Sequence, residues 1–182
     1  MTETNGTGVP GGDSADPAGA AGAAEASNAQ FRIMAQYVKD LSFENPDALK
    51  VLRGGTDQPQ MEVSVNIGVT PLEQDHFEVV LNFSINASSA EGTVFIVELD
   101  YAAVFLIKGV PQESMQPVLL IECPRLIFPF ARRIIADMTQ DGGYPPLLLE
   151  PIDFVSLYRS KLEQQAAARE QGETPEPGAP TA

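Results

Sequence analysis

The chain contains few residues of the types that catalyse reactions or bind metals. His76 is the only histidine and Cys123 the only cysteine. A Ser-His-Asp arrangement would have to use His76, which follows Asp75 at the head of a predicted strand, and no nucleophile motif accompanies it. Zinc sites generally need about three or four Cys or His ligands, so the counts exclude one. We therefore interpret His76 as a surface residue and predict neither a catalytic residue nor a metal site.

The thiol and the glycine pairs also fit structural roles better than chemical ones. Cys123 has no second cysteine to pair with, and Arg125 is the only nearby base, which favours a buried or interfacial thiol over a reactive one. The Gly54-Gly55 pair is interpreted as part of a turn, because no glycine-rich loop ends in the Lys-Ser/Thr of a phosphate-binding motif. Paired carboxylates such as Asp40 with Glu44, or Glu98 with Asp100, are numerous in so acidic a chain and most often form a solvated face. We expect no enzyme activity and no cofactor.

Charge and hydrophobicity narrow the classes of partner. The 182 residues include 11 Lys plus Arg and 25 Asp plus Glu, a formal charge of −14. Such a surface repels phosphate backbones and anionic lipids, which argues against nucleic-acid and membrane-surface binding. Apolar runs such as Val118–Ile121 are far below the roughly 20 residues that span a bilayer, so no membrane insertion is expected. The acidic start lacks signal-peptide features, which predicts a cytoplasmic protein.

The chain divides into a folded body and two low-complexity ends. Residues 1–30 are rich in Gly and Ala and contain no base or aromatic residue, so we predict a disordered arm. Residues 172–182, GETPEPGAPTA, are predicted to be a disordered acidic tail for the same reason. Residues 31–171 are left as one domain, and 43% of the whole chain is hydrophobic, enough for a packed core.

The first two thirds of the body predict strands. Apolar residues alternate with polar ones in the stretches 61–69, 77–87 and 93–107, and residues 88–92 form a hairpin loop between the last two. A further strand begins at Phe31 and runs toward the turn at Asn45-Pro46, with Phe31, Ile33, Ala35 and Tyr37 expected on one face. Short links and one-sided alternation favour an antiparallel, meander-like sheet.

The last third predicts two helices. Ile127, Phe128, Ala131, Ile134, Ile135 and Met138 recur with the period of an amphipathic helix. Gly142-Gly143 ends that helix, and it either begins or bends at Pro124 or Pro129. Asp153 is a plausible N-cap for a second helix that carries Phe154 on its apolar side.

Two helices of this size cannot cover a four-stranded sheet, so some apolar surface must stay uncovered. Patches of that kind usually mark an oligomer interface or a binding groove. The segment 142–154, GGYPPLLLEPIDF, is either a buried connection or a stiff hydrophobic wall of such a groove, and the sequence favours neither. In the stretch 96–101, IVELDY, both faces of the strand carry apolar or charged residues, which suits contact with two different partners.

Three ordered motifs connect the chain to a known family. Residues 37–46 read YVKDLSFENP, residues 122–132 read ECPRLIFPFAR, and residues 143–147 read GYPPL, followed by PIDF at 151–154. Together they closely resemble the bacterial protein-export chaperone family SecB. The resemblance extends over about residues 31–171, whereas the long arm and the Pro-rich tail are particular to this chain.

The resemblance implies an α+β fold in which a four-stranded antiparallel sheet packs on two C-terminal helices. It also implies a homotetramer, assembled as a dimer of dimers, that binds unfolded precursors of exported proteins without nucleotide and passes them to the motor ATPase SecA. The resemblance also implies that the tail with which SecA docks carries zinc, so this zinc belongs to SecA and not to this chain. The matching positions implied for the client-binding groove are Met61, Val63, Val65, Tyr144, Leu147, Leu149 and Phe154. Those implied for SecA docking are Asp40, Glu44, Ile96 and Glu98, and those for the oligomer interface are Val97, Leu99 and Tyr101.

A physical mechanism accompanies this reading. Hydrophobic attraction is non-directional, so a groove of apolar side chains accepts many sequences provided that they are unfolded. SecA docking would instead be electrostatic and sensitive to salt. Two other classes stay open from the residues alone. One is a small acid/base enzyme, and the other is an oligomeric β-protein that binds one small apolar ligand per subunit.

Overall fold

The computed structural model describes residues 30–46, 48–49, 59–90 and 92–170, with side chains described up to 167. Its four strands are β1 (Gln30–Glu44), β2 (Gln60–Pro71), β3 (His76–Ser89) and β4 (Gly92–Lys108). They form one antiparallel sheet in the order β1-β4-β3-β2. The predicted disordered ends lie outside the described residues, except that Gln30 begins β1.

The strand order corrects the expected meander. Strands β2, β3 and β4 follow one another through short turns, as predicted. Strand β1 instead pairs with β4, so β1 and β2 are the two edges of the sheet. The connection between Glu44 and Gln60 is long enough to pass from one edge to the other, which removes the constraint that makes sequential strands neighbours.

Side-chain alternation gives the sheet two different faces. In β3 and β4 the odd-numbered residues, such as Leu81 and Leu99, are buried against the helices, and we call this the helix face. The even-numbered residues, such as Asn82 and Glu98, form the open face. The register with β3 puts the odd residues of β2 on the helix face as well.

Two irregularities in β1 overturn the predicted alternation of that strand. The register with β4 shifts between Ile33 and Ala35 and again between Val38 and Asp40. Each β-bulge adds one residue and therefore reverses the face on which the following side chains lie. As a result Phe31 and Ile33 share the helix face, whereas Ala35 and Tyr37 lie on the open face, contrary to the sequence interpretation.

The helical part is longer than the periodicity predicts. Helix α1 (Gln112–Pro117) continues through a π-helical segment (Val118–Glu122) into helix α2 (Cys123–Asp141). Pro124 lies in the first turn of α2 and Pro129 inside it. Both proline positions were recognised from the sequence, whereas α1 and the π-helical segment were not. None of the helices in the described part of the chain has the length and apolarity of a membrane-spanning helix.

Helix α3 (Phe154–Glu170) begins where the N-cap pattern predicts. The Asp153 carboxylate accepts hydrogen bonds from the backbone N–H of Val155 (3.0 Å) and of Ser156 (3.1 Å). Its bond to the Ser156 hydroxyl (2.7 Å) and those backbone bonds lower the pKa of Asp153. The prediction of Asp153 as N-cap is confirmed, and the capped turn places Phe154 at the start of the helix.

The core lies between the helix face of β3 and β4 and the helices α2 and α3. Phe128 of α2 connects the layers, because its ring lies 6.3 Å from that of Phe83 and 6.0 Å, edge-on, from that of Phe154. Phe154 is 1% exposed. The predicted fold class, a four-stranded antiparallel sheet packed on C-terminal helices, is confirmed for the single chain.

The Phe154 side chain should therefore hold α3 on the domain. Replacing Phe154 with Ala is expected to lower the free energy of unfolding by about 3–5 kcal/mol, since it removes a fully buried ring. Urea denaturation at matched protein concentration measures this change. The control Leu162→Ala, on the same helix but 42% exposed, should change stability by no more than about 0.5 kcal/mol. Equal effects of both variants would contradict this account of the core.

Candidate functional site

The central helix leaves the edge strands partly uncovered. Helix α2 packs on β3 and β4, and a helix about 10 Å wide cannot also cover strands about 4.8 Å to either side. On β1 the exposed apolar side chains of the helix face are Phe31, Ile33 and Val38, and on β2 they are Met61 and Val63. Part of the apolar surface that the sequence predicted to be left over thus lies along the two edges of the sheet, and Leu126 and Phe130 of α2 are exposed as well.

Three of the predicted groove residues lie together on β2. Met61 and Val63 are exposed, with Val63 at 45%, and Val65 is half-buried against the core. Their odd numbers place all three on the helix face of this edge strand. The backbone of β2 therefore presents a short apolar row beside the helical layer, at the end of β2 away from Pro71.

The loop after α2 brings two further predicted groove residues onto the helix face. The Tyr144 ring lies 4.8 Å from the ring of Phe95, and its hydroxyl donates to Asn45 Oδ1 at 2.7 Å. The Leu147 backbone N–H donates to Thr139 Oγ1 at 2.9 Å, which holds the loop against α2. Tyr144 and Leu147 are half-buried and pack on the core cluster.

The same loop corrects two groove assignments. Leu149 is 7% exposed and Phe154 is 1% exposed, so both belong to the core of the single chain rather than to an open groove. The leucine between Leu147 and Leu149 behaves in the opposite way, because Leu148 is 63% exposed. The segment 142–154 is therefore a buried connection at Leu149 and presents exposed apolar surface at Leu148. The alternation itself was the signal that could have identified Leu148.

The predicted oligomer-contact residues are also buried within their own chain. Val97, Leu99 and Tyr101 have odd numbers on β4, which places them on the helix face, underneath the helical layer. A side chain that is already covered by its own core cannot make a direct contact with a partner. Other large apolar side chains are exposed in the described part of the chain, among them Phe31, Ile33 and Val38 of β1 and Leu126 and Phe130 of α2.

The predicted docking residues share the open face. Three rows of paired residues cross this face: Asp40-Asp100-Asn82-Asn66, Ser42-Glu98-Ser84-Ser64 and Glu44-Ile96-Asn86-Glu62. These twelve positions contain five carboxylates and no basic residue, and we call them the acidic plate. A depression of about 260 Å³ lies on it, lined in part by Asp40, Glu98 and Asp100.

The structure thus brings Asp40, Glu44, Ile96 and Glu98 together, although they come from two strands. Sequence reasoning did not place Asp100 and Glu62 on the same plate. The Asn82 amide donates to the Asp100 carboxylate at 2.6 Å, which orients this side chain on the open face. The even numbering of Asp100 and Glu98 on β4 was the signal that could have included Asp100.

A polar network closes the other end of the open face. The Glu78 carboxylate accepts a hydrogen bond from the Tyr37 hydroxyl and one from Lys39 Nζ at 2.9 Å. The Tyr37 bond first, and then the Lys39 bond, lowers the pKa of Glu78, and the same contact raises the pKa of Tyr37. Because Ala102 of β4 lies between Tyr37 and Val80 in the sheet, its small side chain lets the network span the strand.

The residue types that could catalyse a reaction or bind a metal, His76 and Cys123, have structural positions in the fold. His76 opens β3, and its Nδ1 lies 3.0 Å from the Glu73 carbonyl oxygen. Cys123 is buried at the start of α2. Burial above all, and then the nearby Glu122 carboxylate, raises the pKa of the Cys123 thiol to about 12. Among the described residues, no group of three or more His, Cys, Asp or Glu could hold a metal ion.

A second cleft, of about 670 Å³, lies at the opposite end of β2 and was not expected from the sequence. It is lined by apolar residues of β2 and of the α1 and π-helical region, among them Ile67, Met115 and Leu119. Helix α3 borders it as well, and Lys161 Nζ donates to the Ile67 carbonyl oxygen at 3.3 Å. The cleft depends on the π-helical segment, for which the sequence gives no periodic signal.

Comparisons with known proteins agree on one family. The model of the SecB family, described as preprotein translocase subunit SecB, matches residues 24–165. Protein-export protein SecB of Maricaulis maris is 49% identical over 157 residues, 86% of this chain and 91% of that protein. The SecB of Zymomonas mobilis is 53% identical over 146 residues, 77% of this chain and 88% of that protein.

A solved structure shows the same fold. The SecB-like chaperone of Mycobacterium tuberculosis, in complex with a peptide from the HigA1 antitoxin, superposes with a TM-score of 0.56 at 16% sequence identity. The match covers 68% of this chain and 91% of that one.

The environment of Cys123 predicts a chemically inert thiol. With a pKa of about 12, roughly one thiol in ten thousand is ionised at pH 8, whereas an unfolded chain has a thiol pKa of about 8.5. Labelling with Ellman's reagent at pH 8 should be at least about a thousandfold slower in the native protein than in guanidinium chloride. A Cys123→Ala variant carrying Ser160→Cys on the surface of α3 should label rapidly while folded. Fast native labelling of Cys123 would contradict its placement.

Proposed function

This chain belongs to the SecB family of protein-export chaperones, and we propose that it holds precursors of exported proteins unfolded on the apolar surface of its edge strand β2. The observation that carries the proposal is the exposure of Met61 and Val63 beside the half-buried Val65. These side chains are on the face that elsewhere forms the core, yet the helices leave them uncovered. We assign Tyr144 and Leu147, which pack on the core from the loop after α2, to the same client surface.

The apolar row selects a conformational state rather than a sequence. Burying one Leu or Phe side chain of a client stabilises a complex by roughly 1.5–3 kcal/mol. A few such anchors suffice for useful affinity after the cost of ordering the client is subtracted. A folded protein has already buried these side chains, so only unfolded chains can supply several at once. No nucleotide or covalent step is needed for capture.

We propose that self-association uses the β1 edge. Phe31, Ile33 and Val38 are exposed on the helix face of this strand, and Tyr37 is exposed on the open face. No described strand pairs with the outer edge of β1, and an edge strand with apolar side chains on both faces favours pairing with a second copy. Assembly into the homotetramer expected from the family would place several client surfaces in one particle, which favours long clients by multivalency.

We propose that delivery uses the acidic plate as the docking surface for SecA. Five carboxylates without a basic residue attract a cationic segment of a partner. Ile96 lies in the same row as Glu44 and adds an apolar contact. The plate and the client surface are on opposite faces of the sheet, so a partner can dock while a client is bound.

The client surface is tested by changing adjacent residues on the two faces of β2. Replacing Val63 with Asp puts a charge into the apolar row and should weaken binding of an unfolded precursor at least about tenfold, the equivalent of one lost anchor. Ser64→Asp changes the neighbouring residue, which points to the acidic plate, and should leave client affinity within about twofold. Fluorescence titration with a labelled, reduced precursor measures both. Equal losses in both variants would contradict the assignment.

The docking surface is tested by charge reversal. Asp40→Lys and Glu98→Lys should each weaken SecA binding, measured by calorimetry, and should leave client capture unchanged. Glu163→Lys on the exposed side of α3 makes the same charge change away from the plate and should have little effect. Raising the ionic strength should weaken SecA binding more than client capture, because screening acts mainly on exposed charges. Loss of both activities in the plate variants would contradict the separation of the faces.

A further inference from the structure

The hydrogen-bond pattern of the sheet determines which backbone groups of β2 are free. The backbone N–H of Ile107 in β4 donates to the Asp75 carbonyl oxygen, just before β3, at 2.9 Å. Given the pairing of His76 with Leu106, this bond shows that odd-numbered residues of β3 direct their N–H and C=O groups toward β4. Even-numbered residues of β3 therefore direct theirs toward β2.

The register then assigns the groups of β2. Its even-numbered residues, such as Glu62 and Ser64, lie opposite Asn86 and Ser84 and exchange hydrogen bonds with β3. The odd-numbered residues consequently direct their N–H and C=O groups away from the sheet. In the part of the chain that the structure describes, no strand pairs with this outer edge.

One contact agrees with this assignment and marks where the free edge ends. Lys161 Nζ of α3 donates to the carbonyl oxygen of Ile67 at 3.3 Å. Ile67 is buried, and α3 borders this half of β2. Toward the other end of the strand, Met61 and Val63 are exposed, and no strand in the described part of the chain pairs with the outward backbone groups between residues 61 and 65.

The same three residues thus offer two kinds of contact. Met61, Val63 and Val65 present apolar side chains on the helix face and unpaired backbone groups at the edge. We propose that an unfolded client segment binds here as an added β-strand, paired with the outer edge of β2 and directing alternate apolar side chains onto the helix face. This inference rests on the proposed holdase function and specifies how the client is held.

Edge pairing adds a sequence-independent contribution to binding. Every residue of an extended chain offers a backbone carbonyl, and every residue except proline also offers an N–H, whereas a folded protein has already paired these groups. The backbone bonds therefore select for the unfolded state in the same way as the apolar contacts do. The Lys161 contact at Ile67 limits the added strand to the half of β2 that carries the predicted groove residues.

Backbone methylation of a probe peptide tests the proposal directly. The probe is a fluorescent, amidated peptide of sequence Lys-Thr-Leu-Thr-Val-Thr-Leu-Lys. Two isomers carry three N-methyl groups each, either on the Leu and Val residues or on the Thr residues. In a paired strand only alternate N–H groups point to the partner, so one isomer should bind at least about tenfold more weakly than the other. For an antiparallel client, the weaker isomer is the one methylated on Leu and Val.

The protein side of the test uses a proline on the edge. Val63→Pro removes an outward N–H without removing a hydrogen bond to β3, and edge strands tolerate proline at such positions. Val63→Pro should weaken binding of the parent peptide at least about tenfold more than Val63→Ala, which removes side-chain area but keeps the N–H. In amide exchange monitored by NMR, the N–H groups of Met61, Val63 and Val65 should become protected when the parent peptide binds.

The outcomes separate the inference from the proposed function. Tight parent binding with equal affinity of the two isomers, and without new amide protection, would overturn edge pairing and leave apolar capture standing. If neither the parent peptide nor an unfolded precursor binds, both edge pairing and the proposed holdase function are overturned. Protection of the β2 amides in the free protein would show that another part of the chain or a second copy already occupies the edge, and this too would overturn the proposal.

Discussion

The architecture depends on a mismatch in width between the two layers. One helix about 10 Å across lies over a sheet whose four strands are about 4.8 Å apart, so the helix covers the central pair only. Strands β3 and β4 are therefore buried, whereas much of β1 and the first half of β2 stay accessible. The uncovered apolar side chains follow from this geometry and belong to a well-packed fold. A single chain with this fold therefore exposes apolar side chains along the edges of its sheet.

The period of the β-strand separates the two proposed activities. Neighbouring residues such as Val63 and Ser64, or Val97 and Glu98, point to opposite faces. One face can therefore be apolar for packing and client contact while the other is acidic for a partner. The two proposed surfaces therefore use different residues of the same strands.

Much of the fold was predictable from the sequence because its strands and helices have strong local signals. The alternation in 61–69 and the cap at Asp153 each specify an element almost by themselves. The β1 bulges were not predictable, because no change in residue type along the strand marks the position of the extra residue. The pairing of β1 with β4 and the π-helical segment depend on tertiary packing, which no local pattern reports.

The candidate surfaces were predicted unevenly for a related reason. Met61 and Val63 are exposed because their strand lies at an edge, and the acidic residues lie on the open face because charge keeps them at the surface. Val97 and Leu99 have the same apolar character, but their strand is central, so the structure buries them. A hydrophobic pattern shows which face of a strand is apolar, and only the strand order shows whether that face is covered.

The account is tested most directly by light scattering coupled to gel filtration, with and without a slow-folding precursor kept unfolded. If the uncovered edges serve association, the free protein should elute as an assembly of about 78 kDa, four copies of the 19.5 kDa chain. Addition of the precursor should raise that mass by the mass of the bound precursor. A particle of one chain whose mass is unchanged by the unfolded precursor would contradict the account.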